Sequence, residues 1–371
     1  MFRKKSTLPH WQEKIQCALN NTNDLISELG KHTENLNNTL TNIQTLFDAI
    51  RNIPSEKVHQ YEELKKIRLN WVQQARTIER DYNEAVVKNT GVGMAGAGLG
   101  GAVVAMGPTV AMGVATTFGT ASTGTAIATL HGVAAYNAAL AWLGGGTLAA
   151  GGGGIAAGEA FLALAGPVGW AIAGVSIGAS GLFIWKNKYN QKRIDNIFKA
   201  ISERDIKSYE LAMIELNERI SRIVDENMKL NEAIDEIKTM GLNYSEMNEQ
   251  QQYMLGAYVN LMYASTQLMI NPIKGLLPNF SLEDFDEFQA WKYSETKEEI
   301  PEEYKDVIVY LANLIYMIEL SEKDKNLLCK ALRKNKTLLK YINISKKQLD
   351  MHVVKFSEDA LNYIYSKVDI G

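Results

Sequence analysis

Apolar positions along the chain follow two kinds of pattern, and the change from one to the other divides it. From Ile15 an alternation of four and three residues runs through Leu19, Thr22, Ile26, Leu29, Thr33, Leu36, Leu40, Ile43, Phe47 and Ile50, with Asn, Glu, Lys and Thr dominating between. A heptad seam carried this far predicts a coiled-coil or bundle helix about 60 Å long. Pro54 disfavours helix at Ile53, and Ser55 is placed to cap a second helix running to about Lys88. Its stripe is Leu64, Ile67, Trp71, Ala75, Ile78, Tyr82 and Val86. A third long helix is predicted from Tyr189 to Met240. Its seam is Tyr209, Met213, Leu216, Ile220, Ile223, Asn227, Leu230, Ile234 and Ile237, in which Asn227 would fix register.

Between these helices the amphipathic pattern stops. Asn89 to Trp185 spans 97 residues, carries Glu159 as its only formal charge, and holds 24 of the 29 glycines. Such a stretch has no polar face to give to water, and it is long enough to cross a bilayer. Each helical Gly costs about 1 kcal/mol relative to Ala, a cost offset where backbones must approach closely, as between membrane helices. Small residues four apart recur: Gly96 with Gly100, Gly93 with Ala97 and Gly101, Gly124 with Ala128 and Gly132, Gly154 with Gly158, and Gly174 with Gly178. The expectation is a glycine-zipper set of membrane helices.

Punctuation at Pro108, Gly119 to Gly124, Gly144 to Gly154 and Gly166-Pro167 sets the expected helix boundaries. Pro167 to Trp185 is the leading span, with Trp170, Trp185, Lys186 and Lys188 as interfacial anchors. Gly91 to Phe118, kinked at Pro108, and Thr125 to Leu143 are further candidates. Basic residues on both flanks predict an even number of crossings. His131 and Glu159 are the candidate polar or pore-lining groups within the stretch. A carboxylate at mid-bilayer costs on the order of 3 kcal/mol, so Glu159 should face water, be protonated or lie outside the hydrocarbon. A looser polar stripe includes Thr116, Thr117, Thr120, Ser122 and Asn137.

Beyond Gly241 a separate helical module is expected. Its helices are Tyr244 to Ile270, Ser281 to Ser294, Pro301 to Leu320, Ser321 to about Ile342, and Ser345 to Val368. Ser345 with Gln348 forms a capping box, Ser321 with Asp324 approximates one, and Val307 to Leu320 reads as buried core. The expected divisions are 1–88, coiled-coil helices; 89–185, membrane-inserting region; 186–241, a helix returning along the first; and 242–371, the helical module. The fold class is all-α, with long antiparallel coiled-coil helices bracketing the apolar region.

The net charge of −3 is spread without a basic concentration, so nucleic acid is not an expected partner. Cys17 and Cys329 give neither metal spacing nor a disulfide framework, and the basic N-terminus has no apolar run behind it. Those features fit a protein made in the cytoplasm without a signal peptide, then associated with a membrane of its own or a target cell. The spacing Gly91, Gly93, Gly96 matches a dinucleotide fingerprint in letters, but a helical pattern precedes it where a strand is needed. No catalytic residue, metal site or cofactor is expected.

Amphipathic helices bracketing one apolar Gly- and Ala-rich insertion, over about Trp11 to Met240, resemble in layout the bacterial α-helical pore-forming toxins of the cytolysin A and haemolysin BL type. That resemblance implies a helical rod that shelters an apolar element, releases it into a membrane and assembles as a homo-oligomer. No residue motif carries it, so no functional residue transfers. The apolar stretch here is longer than a hairpin tongue, a variant that fits an intracellular membrane-disrupting effector of toxin or bacterial defence systems. The expected function is membrane permeabilisation. The alternative is a non-lytic membrane-anchored coiled-coil scaffold whose 242–371 module binds a partner protein.

Overall fold

The computed structural model describes residues 8–90, 107–118, 188–334, 339 and 345–368. These residues are all-α: no strand occurs among them, and the only extended pairing is one bridge between Arg51 and Asn243. The helices are α1 (Leu8–Ala49), α2 (Ser55–Thr90), α3 (Pro108–Phe118), α4 (Lys188–Thr239), α5 (Glu249–Ile270), α6 (Leu282–Thr296), α7 (Lys305–Ile315), α8 (Glu322–Leu332) and α9 (Met351–Val368).

The seams do what their spacing demands. In α1, ten of the eleven seam positions have described side chains, and all ten are buried, Thr22 and Thr33 included. Thr22 satisfies its hydroxyl on the Ala18 carbonyl at 2.7 Å, the usual way a helical threonine enters a core. The α4 seam is likewise buried or half-buried throughout. Asn227, expected to fix register, is half-buried, and its Oδ1 has no hydrogen-bond partner among the described residues.

Helix sense departs in part from expectation. α1 and α2 form an antiparallel hairpin, since Tyr61 reaches back to the Gln44 carbonyl and Arg68 to Leu40. α4 and α5 are antiparallel too, with Tyr258 bonded to Glu236 and Ser265 to Glu226 at 3.1 Å. α1 and α4, expected to run oppositely, are parallel. Their C-terminal ends meet where Arg51 N–H donates to Leu242 O at 2.9 Å and Tyr244 N–H to Arg51 O at 3.0 Å. Near their other ends Lys199 Nζ lies 5.9 Å from the Trp11 ring centroid. The outcome is an up-down-up-down bundle of α1, α2, α4 and α5. A heptad seam buries equally well against a parallel or an antiparallel neighbour, so spacing alone carried no sense of direction.

Two hydrophobic cores result, and α4 contributes to both. The larger gathers the seams of α1, α2 and α4 with α3, α5 and the turn Lys274–Leu276. The smaller joins α6 to α9 to the first turns of α4 through Ile194, Ile197, Phe198 and Ile201. Residues from 242 onward therefore do not pack as one module: α5 belongs to the bundle, and the second core starts at Phe280. Polar clamps hold that core on α4. Arg193 makes a two-pronged contact with Asp324 at 2.7 and 2.8 Å, while Arg204 Nη1 donates to the Asn313, Leu314 and Tyr316 carbonyls at the end of α7.

Capping sets several boundaries. Ser321 and Asp324 form a full capping box on α8, and so do Asn248 and Gln251 on α5. Ser345 and Gln348 do exchange hydrogen bonds, but they close a turn, and α9 begins only at Met351 with Asp350 accepting from the His352 and Val353 amides. Of Val307 to Leu320, expected as buried core, Val307 to Ile315 is buried, whereas Tyr316 to Leu320 lie beyond the end of α7 and are half-buried or exposed.

Candidate functional site: the seat of α3

All ten glycines singled out for membrane packing lie outside the described residues: Gly93, Gly96, Gly100, Gly101, Gly124, Gly132, Gly154, Gly158, Gly174 and Gly178. So do Trp170, Trp185, Lys186, His131 and Glu159, and Lys188 is described only as the first residue of α4. The described portion of the charge-poor stretch is Asn89 and Thr90 at the end of α2, Gly107, and α3. Among the described residues no helix is long and apolar enough to cross a membrane. α3 is instead an 11-residue helix, PTVAMGVATTF.

Pro108 is its first residue and not a kink within it, a position where the missing N–H costs nothing. Helix α3 is apolar nearly all round, which suits only a helix enclosed on its sides. Ala111, Gly113, Val114, Ala115, Thr116 and Thr117 are all buried, packed among α1, α2 and α5. Its hydroxyls are accommodated locally. Thr117 donates to Gly113 O at 2.8 Å, and Thr116 Oγ1 lies 3.5 Å from Thr33 Oγ1 of α1. At the N-terminus Thr109 donates to Glu34 Oε2 at 2.5 Å, setting a carboxylate near the positive end of the helix dipole. At the other end the Thr117 carbonyl accepts from Ile273 N–H at 2.7 Å.

The contact that decides the seat is a glycine crossing. A Cβ on Gly30 of α1 would lie 2.1 Å from the Thr109 carbonyl oxygen, and one on Gly113 would lie 2.3 Å from the Ile26 carbonyl oxygen. Both obstacles are main chain, so no rotamer change relieves them. Neither glycine stood out in the sequence pattern. The available signal was Gly30 in the interior of a 42-residue helix, where a cost of about 1 kcal/mol asks for a packing reason.

Arg68 of α2, another residue the pattern did not mark, fastens α2 to α1. Only 5% exposed, it donates to Leu40 O at 3.0 Å, Gln44 Oε1 at 2.7 Å, Asn37 Oδ1 at 3.1 Å and Thr41 Oγ1 at 2.9 Å. All these acceptors are neutral. Burial accordingly lowers the guanidinium to about 10, the direction expected when desolvation outweighs charge pairing. Nearby, Tyr61 is pushed up by burial and by its hydrogen bond to Asp48. Asp48 also takes Lys65 at 3.1 Å.

One buried carboxylate stands at the junction of the two cores. Asp205 is 2% exposed, with Oδ1 held by Arg204 at 2.7 and 2.9 Å and Oδ2 without a hydrogen-bond partner among the described residues. Burial outweighs the adjacent guanidinium and raises its pKa to about 6. One turn further along α4, the fully buried Tyr209 hydroxyl is also unpartnered among the described residues, and burial raises it well above the usual phenol range.

Among the described residues no group of three or more His, Cys, Asp or Glu could hold a metal ion. Cys17 and Cys329 are free thiols. No family model matches the chain, and neither a curated protein nor a solved structure is similar to it. What the geometry can do is mechanical: it holds one apolar helix inside a polar-surfaced bundle by a backbone-to-backbone contact.

Proposed function

We propose that this chain inserts helices into a lipid membrane and permeabilises it, assembling as a homo-oligomer through small-residue helix contacts. The observation that carries the reading is the state of α3. It is an uncharged helix from a 97-residue stretch with one formal charge, enclosed by amphipathic helices and seated on the Gly30 and Gly113 crossing. A helix with no polar face is stable in a bundle interior or in a bilayer and in few other places. Both flanks suit such an exchange, since α2 descends towards the end of the bundle from which α4 rises. In this reading α3 leaves its seat as the charge-poor stretch enters the bilayer.

The test is dye release from liposomes by the full chain, together with a covalent lock on α3. Thr33 and Thr116 hydroxyls are 3.5 Å apart, close enough for a Thr33→Cys, Thr116→Cys pair in a Cys17→Ser background to bridge with small adjustment. Wild type should release dye, the oxidised pair should not, and reductant should restore release. A wild-type chain that binds liposomes and releases nothing would refute permeabilisation and leave the anchored scaffold in its place.

A further inference from the structure

Between the start of α2 and the middle of α5 the bundle does not close. A cleft of about 460 Å³ opens there, floored by Phe47, Tyr61 and Leu255, with Gln60, Tyr253 and Asn260 at its rim. Its origin follows from α3. That helix lies between α1, α2 and α5 and begins beside Glu34, whereas Tyr61 meets α1 further along, at Gln44 and Asp48. α3 thus packs between α2 and α5, which also touch each other directly, and no described helix fills the cleft beyond its first residue.

Gly256 is the second observation. It sits inside α5, a helix of 22 residues, where Gly costs about 1 kcal/mol relative to Ala. Gly30, Gly113 and Gly275 each meet another backbone within about 3 Å, which explains them; a Cβ on Gly256 would meet nothing within 4 Å. Among the described residues no packing contact explains its missing side chain, and its effect is to widen the cleft wall.

We infer that the cleft is a binding site for a small, flat, uncharged and largely apolar molecule with a hydrogen-bonding group, of the size of a substituted bicyclic aromatic. Volume decides against a helix as occupant: a helix is about 10–12 Å across with its side chains, while this volume is in the range of small-molecule pockets. The floor favours a flat ring, because Phe47 and Tyr61 already lie near-parallel, 5.5 Å apart at 30°, and offer an aromatic platform. None of the described residues lining the cleft is charged, which selects a neutral ligand. The side chains of Gln60 and Asn260 bond to none of the described residues, and with Tyr253, 78% exposed, they supply polar contacts at the mouth. The inference stands apart from the membrane reading and survives its failure.

The experiment titrates 2-naphthol into the full-length chain and into Gly256→Leu, following saturation transfer to the ligand by NMR and the melting temperature of each protein. Leucine at 256 fills the cleft and improves the helix, so this variant should fold and melt at or above wild type. The expected result is saturable binding of 2-naphthol to wild type, weakened at least about tenfold in Gly256→Leu. Absence of saturable binding to wild type, or equal affinity in the two proteins, overturns the site. A lower melting temperature in Gly256→Leu overturns it as well, because it would show that the space before Gly256 is filled.

Discussion

The same substitution, Gly→Ala, should have opposite signs at two positions, and the reason lies entirely in what faces each glycine. Both Gly30 and Gly256 are interior to long helices, so intrinsic propensity alone predicts a gain of about 1 kcal/mol for alanine at either. At Gly256 nothing lies within 4 Å of the new methyl, and that gain should appear in full. At Gly30 the methyl would sit 2.1 Å from Thr109 O and 3.0 Å from its carbonyl carbon. Relief requires α3 to move as a body by about 1 Å, and a gap of that size forfeits up to about half of the dispersion attraction across the interface. Overpacking costs about 1–3 kcal/mol, with main-chain obstacles at the upper end. Set against the propensity gain, Gly30→Ala should therefore destabilise the bundle by about 2 kcal/mol. Urea unfolding gives the two signs. Hydrogen exchange localises the effect, because the amides of Ala111 to Phe118 should lose protection in Gly30→Ala while those of α1 keep theirs. If Gly30→Ala is as stabilising as Gly256→Ala, and α3 stays protected, then α3 is not seated on Gly30 and the argument built on that crossing is wrong.

Asp205 should give the protein a pH dependence of defined sign. Its carboxyl is raised from 3.8 to about 6, so its contribution is most favourable below 3.8 and is lost as pH rises through 6, a change of about 3 kcal/mol. Asp205→Asn should accordingly gain on wild type by about that amount between pH 4 and pH 7.5 in urea titrations; a pH-independent difference would refute the raised value. Arg68→Lys should cost about 2 kcal/mol, the scale of hydrogen bonds from a charged donor, because a single ammonium cannot span acceptors on Asn37, Leu40, Thr41 and Gln44. Equal stability of the two proteins would show that the fork geometry is unimportant. In the charge-poor stretch, Gly174→Leu with Gly178→Leu raises hydrophobicity while blocking close helix approach. This double variant should remain membrane-bound and lose dye release, and undiminished leakage at equal membrane abundance would remove these glycines from the assembly.

Among the described residues, the sequence by itself determined the long helices and their buried faces. The α1 seam from Ile15 to Ile50 is buried at every described position, the third long helix runs Lys188–Thr239 against an expected Tyr189 to Met240, and Ser321 caps α8. These follow from local rules: an apolar stripe at helical spacing must be covered, and unpaired amides at a helix start must find an acceptor. Tertiary structure alone decided what covers each stripe. It made α1 and α4 parallel, since a heptad seam is indifferent to its neighbour's direction. It drew α5 into the bundle and left Phe280 to open the second core, because chain order does not say which apolar faces meet. It moved the start of α9 from Ser345 to Met351, where Asp350 serves as the acceptor. Gly30, Gly113 and Arg68 became meaningful only in three dimensions. A glycine in a helix announces a cost but not the backbone 3 Å away that justifies it, and a lone arginine on a polar-looking turn gives no sign that the carbonyls of another helix will take it out of water.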